Sequence, residues 1–303
     1  MRAINKIKLK DVLFIDIETS TTTAELDINS STFDAWAYSN RKNDETDQEL
    51  VDMYKKSAAL NSDFGRVVCI SVGMVYGTGF KTKSFNDLDE KTMIKDFYSM
   101  LDKFKGKYLC GHNINSFDIP YIAKRGMINN IIPHDLVDTS GCKPWDLGWL
   151  LDTKVLWQMA GFARTSLITL TNVLGIPSPK QDITGPEVPA YFWENPEGHI
   201  KRISEYCERD VSSVYEVLKK LKNLGNEEEV EVKLEEETLI KSLFDGGPYG
   251  VKQKAEMKKI FDKLSPEERE LGYVVLNAVS STAKGKRTKL TKAHIKALKL
   301  SYE

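Results

Sequence analysis

The segment VLFIDIET, residues 12–19, joins an apolar run to two carboxylates. The run is rich in β-branched and aromatic residues, which predicts a buried central strand over residues 12–17. Side chains alternate along a strand, so one face carries Val12, Phe14, Asp16 and Glu18. Two acids therefore continue an apolar face at the carboxyl end of this strand.

Two interpretations of these acids stay open. Burying a carboxylate is costly unless a partner compensates its charge. A divalent cation is a natural partner for Asp16 and Glu18, because hard cations prefer oxygen ligands. Alternatively, the strand ends at Ile15 and both acids are solvated.

A further acid lies in a predicted helix over residues 200–224. The apolar stripe of this helix has helical spacing and consists of Ile203, Cys207, Val214, Val217 and Leu221. Asp210 falls inside the stripe, and Tyr206, four residues earlier, projects from the same side. Both side chains would face whatever the helix packs on, unless Asp210 lies at an exposed edge of the stripe.

The segment GHNINSFDIP, residues 111–120, follows a short predicted strand and contains Asp118. An aspartate just before a helix often serves as its N-cap. A loop that follows a strand is also where α/β proteins place functional residues. Both roles stay open for Asp118.

Alternating strands and helices predict an α/β sandwich. Residues 21–63 are polar and predict a surface insertion with one helix around residues 48–59. The other predicted strands cover residues 66–76, 81–85 and 108–113. The other predicted helices cover residues 91–104, 120–126, 155–159, 167–174 and 200–224.

Composition changes abruptly after Gly225, which predicts a first domain over residues 1–225 and an appendage over residues 226–303. Residues 226–240 hold seven glutamates and one lysine, whereas residues 252–303 hold thirteen Lys or Arg and six Asp or Glu. The sequence Ser265-Pro266-Glu267-Glu268 is typical of a capped helix start. We expect a basic, helical C-terminal extension.

Bulk properties exclude several classes of protein. The formal net charge of −1 over 303 residues means that any attraction to a polyanion must be local or mediated by cations. The four cysteines form no CxxC pair, which argues against a zinc module and a secreted disulfide scaffold. No signal peptide or membrane span is recognisable, so we expect no membrane association and a location in the cytoplasm of a bacterial or phage-infected cell.

Together, the motifs resemble those of the tyrosine subclass of DEDD exonucleases. Asp-x-Glu at residues 16–18, Asn-x3-Phe-Asp at 113–118 and Tyr-x3-Asp at 206–210 match its three motifs. The neighbourhoods FIDIET, FGRVVCISVG, CGHNINSFDIPYIAKR and YCERDV are similar to the proofreading domain of family B DNA polymerases, most of all its stand-alone bacterial and phage relatives. Glu205 stands where the histidine subclass would have a histidine. The resemblance covers roughly residues 10–222.

The resemblance implies a ribonuclease H-like fold with a five-stranded mixed sheet flanked by helices. It also implies that two divalent cations, Mg²⁺ or Mn²⁺, bind to Asp16, Glu18, Asp118 and Asp210. Tyr206 would then orient the attacking water. Candidate contacts to the substrate are Thr19, Asn113, Phe117 and Lys180, although Phe117 fits core packing equally well and Lys180 fits a solvated loop.

The expected activity is removal of nucleoside monophosphates from the 3′ end of single-stranded DNA. Two alternatives stay open: an exoribonuclease of the same superfamily, and a non-catalytic module that binds nucleic acid or acts as a scaffold. DNA is the expected partner rather than RNA, and the C-terminal extension is a candidate docking site for a replication or repair protein.

Overall fold

The computed structural model of this chain describes residues 2–77, 79–159, 161, 164–177 and 183–223. These residues lie within the first of two compact units into which the chain divides, Met1–Glu228. The appendage predicted over residues 226–303, with its capped helix and basic residues, lies outside the described residues.

A five-stranded sheet forms the centre of the described unit, in the order β3-β2-β1-β4-β5. The strands are β1 (Val12–Thr21), β2 (Gly65–Tyr76), β3 (Gly79–Phe85), β4 (Tyr108–Gly111) and β5 (Leu150–Asp152). β1 is antiparallel to β2 and parallel to β4, β2 and β3 are antiparallel, and β4 and β5 are parallel. The predicted mixed sheet is therefore confirmed, although β5, with only three residues, was not predicted.

Helices cover both faces of the sheet. The helices of the described residues are α1 (Arg2–Asn5), α2 (Ser31–Asn40), α3 (Asp47–Ser57), α4 (Glu90–Leu101), α5 (Asp118–Ile128), α6 (Thr153–Gln158), α7 (Leu167–Val173), α8 (Val188–Glu194) and α9 (Pro196–Asn223). Of these, α4 and α5 lie on one face and α9 on the other. Among the helices of the described residues, none combines the length and apolarity needed to cross a bilayer.

Alternation along β1 divides the core between the two faces of the sheet. Leu13, Ile15 and Ile17 belong to one buried cluster, with apolar residues of α4 and α5. Val12 and Phe14 belong to another, with apolar residues of α9. The face that continues into Asp16 and Glu18 is therefore the face under α9.

The polar insertion over residues 21–63 holds two main helices, α2 and α3, so the prediction of a single helix was wrong. Phe33 and Trp36 of α2 are buried with Leu50 and Tyr54 of α3. The Trp36 indole also donates to the Leu50 carbonyl at 2.9 Å. In α2 a few large apolar side chains supply the burial among polar neighbours, so the helix has little amphipathic pattern to detect.

A buried ion pair fixes α5 between α4 and β2. The Arg125 guanidinium of α5 donates to both Glu90 carboxylate oxygens of α4, at 2.9 and 2.7 Å. Glu90 also accepts the Val67 backbone N–H at 2.7 Å, and Arg125 donates to the Ser62 carbonyl at 3.1 Å. Because α5 begins at Asp118, this pair also holds the helix that carries that acid.

We expect Glu90→Gln to lower the free energy of unfolding by about 3–5 kcal/mol, because a buried guanidinium loses its carboxylate. Urea unfolding followed by circular dichroism measures the change. Glu25→Gln is the matched control, since Glu25 pairs with Lys55 at an exposed site and an exposed pair contributes about 1 kcal/mol or less. Equal effects of the two substitutions would contradict this role for the buried pair.

Candidate metal centre and active site

Asp16 and Glu18 lie on β1, which continues past them to Thr21. The alternative in which the strand ends at Ile15 and both acids are solvated is therefore wrong. Glu18 is buried and Asp16 is half-buried. The pairing of β1 with β2 shifts register between Glu18 and Thr19, so an irregularity of the sheet directly follows the two acids.

α9 brings Tyr206, Cys207 and Asp210 over this part of β1. The Cys207 thiol donates to the Asp16 carbonyl at 3.3 Å, and its sulfur lies 3.4 Å from Asp16 Oδ2. One ligand atom from each of Asp16, Glu18 and Cys207 lies within 4.8 Å of the others. One turn of helix beyond Tyr206, Asp210 accepts a hydrogen bond from the Tyr206 hydroxyl.

Asp118 enters from the opposite side of the sheet, as the first residue of α5. The N-cap of that helix is Phe117, so the N-cap role for Asp118 was wrong. Asp118 is buried, and its Oδ1 accepts the backbone N–H of Ile17 at 3.2 Å. β1 pairs with β4 only as far as Phe14, so the backbone N–H of Ile17 has no strand partner on that side and binds this carboxylate instead.

The pKa values show that the four carboxyl groups form one electrostatic cluster. Burial, and then the charges of Asp118, Asp210 and Glu18, raise the pKa of Asp16 well above its usual value. Burial and Asp210 likewise raise the pKa of Glu18. Burial raises the pKa of Asp118 to about 7 and that of Asp210 to about 6. Such a cluster of oxygen ligands, strained by its own charge, fits a divalent cation.

The phenol of Tyr206 stays protonated beside these acids. Burial, followed by the charges of Asp210, Glu18 and Asp16, raises the pKa of Tyr206 above its ordinary value. A neutral phenol can donate a hydrogen bond but has little capacity to act as a base at neutral pH.

Asp152, at the end of β5, organises the loop that precedes Asp118, and sequence reasoning missed it. The buried carboxylate accepts the backbone N–H groups of Asn113 at 2.9 Å and Asn115 at 3.2 Å. It also caps α6 through the N–H groups of Lys154 and Val155. The signal was available in the sequence LLDT, where an N-cap aspartate follows an apolar pair.

The candidate substrate contacts lie in different surroundings. Asn113 has a positive φ of 70°, and its side-chain carbonyl accepts from the Lys154 ammonium at 3.0 Å. Phe117 is half-buried and packs on the core and on the Tyr121 ring, 5.3 Å away, which supports its packing role. Thr19 is buried. Lys180 lies outside the described residues.

Residues 57–249, well over half of the chain, match a family described as predicted 3′–5′ exonucleases related to the exonuclease domain of PolB. The chain belongs to this exonuclease family. The match includes Asp118, Tyr206 and Asp210, begins after Asp16 and Glu18, and extends beyond the domain boundary predicted near residue 225.

Among solved structures, this chain is similar to the family B DNA polymerase of the hyperthermophilic archaeon Pyrobaculum calidifontis. The TM-score is 0.45 and the identity 15%, over 93% of this chain and 31% of that polymerase. This chain thus spans less than a third of the polymerase. A search of curated proteins found no match. Family and sheet together confirm the predicted ribonuclease H-like fold.

We expect Asp152→Ala to lower nuclease turnover by about 10-fold or more, because two backbone N–H groups of the loop before Asp118 lose their acceptor. The loss of the cap of α6 should lower the free energy of unfolding by about 0.5–2 kcal/mol. Asp89→Ala is the matched control, since Asp89 caps α4 by accepting the N–H of Thr92. Both variants should lose similar stability, but Asp89→Ala should keep its turnover; equal turnover in both would contradict a positioning role for Asp152.

The raised pKa values predict that the metal-free protein loses stability as pH rises from about 5 to 8. A carboxyl group with a raised pKa binds its proton more tightly in the folded state, so ionisation through the folded pKa favours unfolding. The free energy of unfolding in EDTA should fall by more than about 1.4 kcal/mol, the equivalent of one pKa unit. Mn²⁺ should restore it at pH 8. Metal-free stability that rises over this range would contradict the cluster; Asp210→Asn should flatten the profile.

Proposed function

We propose that this exonuclease removes nucleoside monophosphates one at a time from the 3′ end of single-stranded DNA, with two divalent cations, Mg²⁺ or Mn²⁺. The observation that carries the proposal is the convergence of Asp16, Glu18, Asp118 and Asp210 from three elements, each with a raised pKa. Their repulsion is relieved when cations bind, which favours a resident metal over a purely structural role.

The four carboxylates would hold the cations, and each is already positioned by its own element. Asp16 and Glu18 lie two residues apart on β1, Asp118 is held by the Ile17 N–H, and Asp210 is held by the Tyr206 hydroxyl. When bound, two divalent cations would lower the pKa of a water molecule and compensate the negative charge on the departing 3′ oxygen.

Tyr206 has the properties of an orienting group. Its phenol is protonated, and it already donates to Asp210, one of the proposed ligands. From this position its oxygen can accept a hydrogen bond from the attacking water while its own proton stays in the hydrogen bond to Asp210. The tyrosine would therefore direct the water toward the terminal phosphodiester without removing its proton.

DNA is favoured over RNA by the kinship of the family with the PolB exonuclease domain and by the motif neighbourhoods. A single-stranded end is favoured because the hydrolysed bond must reach carboxylates that are buried or half-buried beside the second half of β1. A base-paired 3′ end would have to fray before it could enter.

We expect Asp16→Asn and Asp210→Asn each to lower turnover at least about 100-fold, because each removes a carboxylate that would hold the cations. The measurement is a time course on single-stranded DNA labelled at its 5′ end, with Mg²⁺, Mn²⁺ or EDTA, beside matched RNA. Asp34→Asn, an exposed acid of α2, is the control and should cleave normally.

A metal-dependent ladder that shortens from the 3′ end would support the proposal. Faster cleavage of RNA than of DNA would identify RNA as the preferred substrate. Absence of cleavage of either nucleic acid, with retained binding, would refute an enzymatic role and favour a scaffold.

A further inference from the structure

Two short segments rich in lysine lie at the end of the sheet opposite the carboxylates. Residues 6–10 read KIKLK and residues 103–107 read KFKGK. All six of their lysines are exposed, and we call them the lysine edge: Lys6, Lys8, Lys10, Lys103, Lys105 and Lys107.

The two segments are neighbours in the fold. The backbone N–H of Lys107 donates to the Asp11 carbonyl at 2.9 Å, and the next residues, Val12 and Tyr108, are paired between β1 and β4. These strands are parallel, so both begin at the same end of the sheet. The intervening Ile7, Leu9 and Phe104 pack on the buried clusters, which turns the lysines outward.

Among the described residues, the positive charge of the lysine edge has little local compensation. Within residues 6–11 and 102–107, six lysines face two acids, Asp11 and Asp102. Asp102 lies 3.4 Å from the His134 ring. Within the part of the chain that the structure describes, none of the six lysines forms an ion pair. Since the whole chain has a net charge of −1, this edge is a local concentration of positive charge.

The lysine edge and the carboxylates are separated along β1. Four residues lead from Val12 to Asp16, which is about 13 Å at roughly 3.3 Å per residue. With the lysine-bearing segments added, the separation is about 15–20 Å. At the phosphate spacing of a helical strand, about 3.4 Å, this distance corresponds to roughly four to six nucleotides.

We propose that the lysine edge binds the phosphodiester backbone of a nucleic-acid strand at nucleotides upstream of the 3′ end held at the carboxylates. The inference rests on the proposed function, since it assumes that the 3′ end occupies that site. Lysine contacts to phosphate are independent of sequence and weaken with salt. Such a tether would keep a long strand on the enzyme after each nucleotide is released.

The test uses the full chain and a 30-nucleotide oligothymidylate with a fluorescent 5′ end, in EDTA, over a range of salt concentrations. The edge variant combines Lys103→Gln, Lys105→Gln and Lys107→Gln. The control variant combines Lys56→Gln, Lys95→Gln and Lys124→Gln, which removes the same charge from exposed helix positions elsewhere. Fluorescence anisotropy should show binding weakened about 10- to 100-fold in the edge variant at low salt, and less than about 3-fold in the control.

The salt dependence gives an independent readout. Loss of three phosphate contacts should reduce the slope of log K against log salt by about 2 for a single strand. A second edge variant, Lys6→Gln with Lys8→Gln and Lys10→Gln, should behave in the same way. Equal binding by the edge and control variants would overturn the proposal.

Substrate length separates this inference from the proposed function. Cleavage of a trinucleotide, too short to reach the lysine edge, should be unchanged in the edge variant, whereas cleavage of the 30-mer should slow. A trinucleotide slowed as much as the 30-mer would overturn the tether. A different outcome is that the wild type cleaves neither substrate while the edge variant still binds the 30-mer more weakly than the control variant does. That outcome would refute the exonuclease proposal and support the lysine edge as a nucleic-acid-binding surface.

Discussion

Mutual repulsion among Asp16, Glu18, Asp118 and Asp210 is the constraint around which the described unit is arranged. Four carboxyl groups approach one another beside the second half of β1, where burial already disfavours their charged forms. Repulsion and burial alone would drive the four carboxyl groups apart. The fold instead holds them in three ways: the register of β1 positions Asp16 and Glu18, a backbone N–H binds Asp118, and a tyrosine hydroxyl binds Asp210.

These devices come from parts of the chain that have little else in common. β1 supplies two acids by simple alternation, and α5 supplies one because the Arg125–Glu90 pair fixes the helix against β2 and α4. α9 supplies the last, and its apolar side covers the same face of β1 that ends in the acids. Apolar packing and one buried ion pair therefore stabilise the elements around the site. The carboxylates of the site itself lack a positive charge to compensate them until a cation binds.

Local pattern in the sequence predicts a good part of this arrangement. The period of two along residues 12–18 placed Asp16 and Glu18 on one face, and the period of the stripe in α9 placed Asp210 on its packed side. The hydrogen bond from the Ile17 N–H to Asp118 could not be predicted from the sequence. It forms because β4 stops pairing with β1 at Phe14, which leaves the Ile17 N–H available to the carboxylate. Asp152 was missed because a strand of three residues shows no alternation, so the N-cap signal after it was not recognised as the end of a strand. The helix α2 was missed because its burial comes from only two aromatic side chains, Phe33 and Trp36.

The packing of α9 on β1 has a consequence for covalent labelling. Cys69, Cys110 and Cys207 are buried, whereas Cys142 is half-buried. Burial also raises the pKa of the Cys110 and Cys207 thiols, so little of the reactive thiolate is present at either position. A maleimide should therefore modify Cys142 first in the native protein. Cys207 of α9 is buried against Asp16, so its alkylation would report any separation of α9 from the sheet.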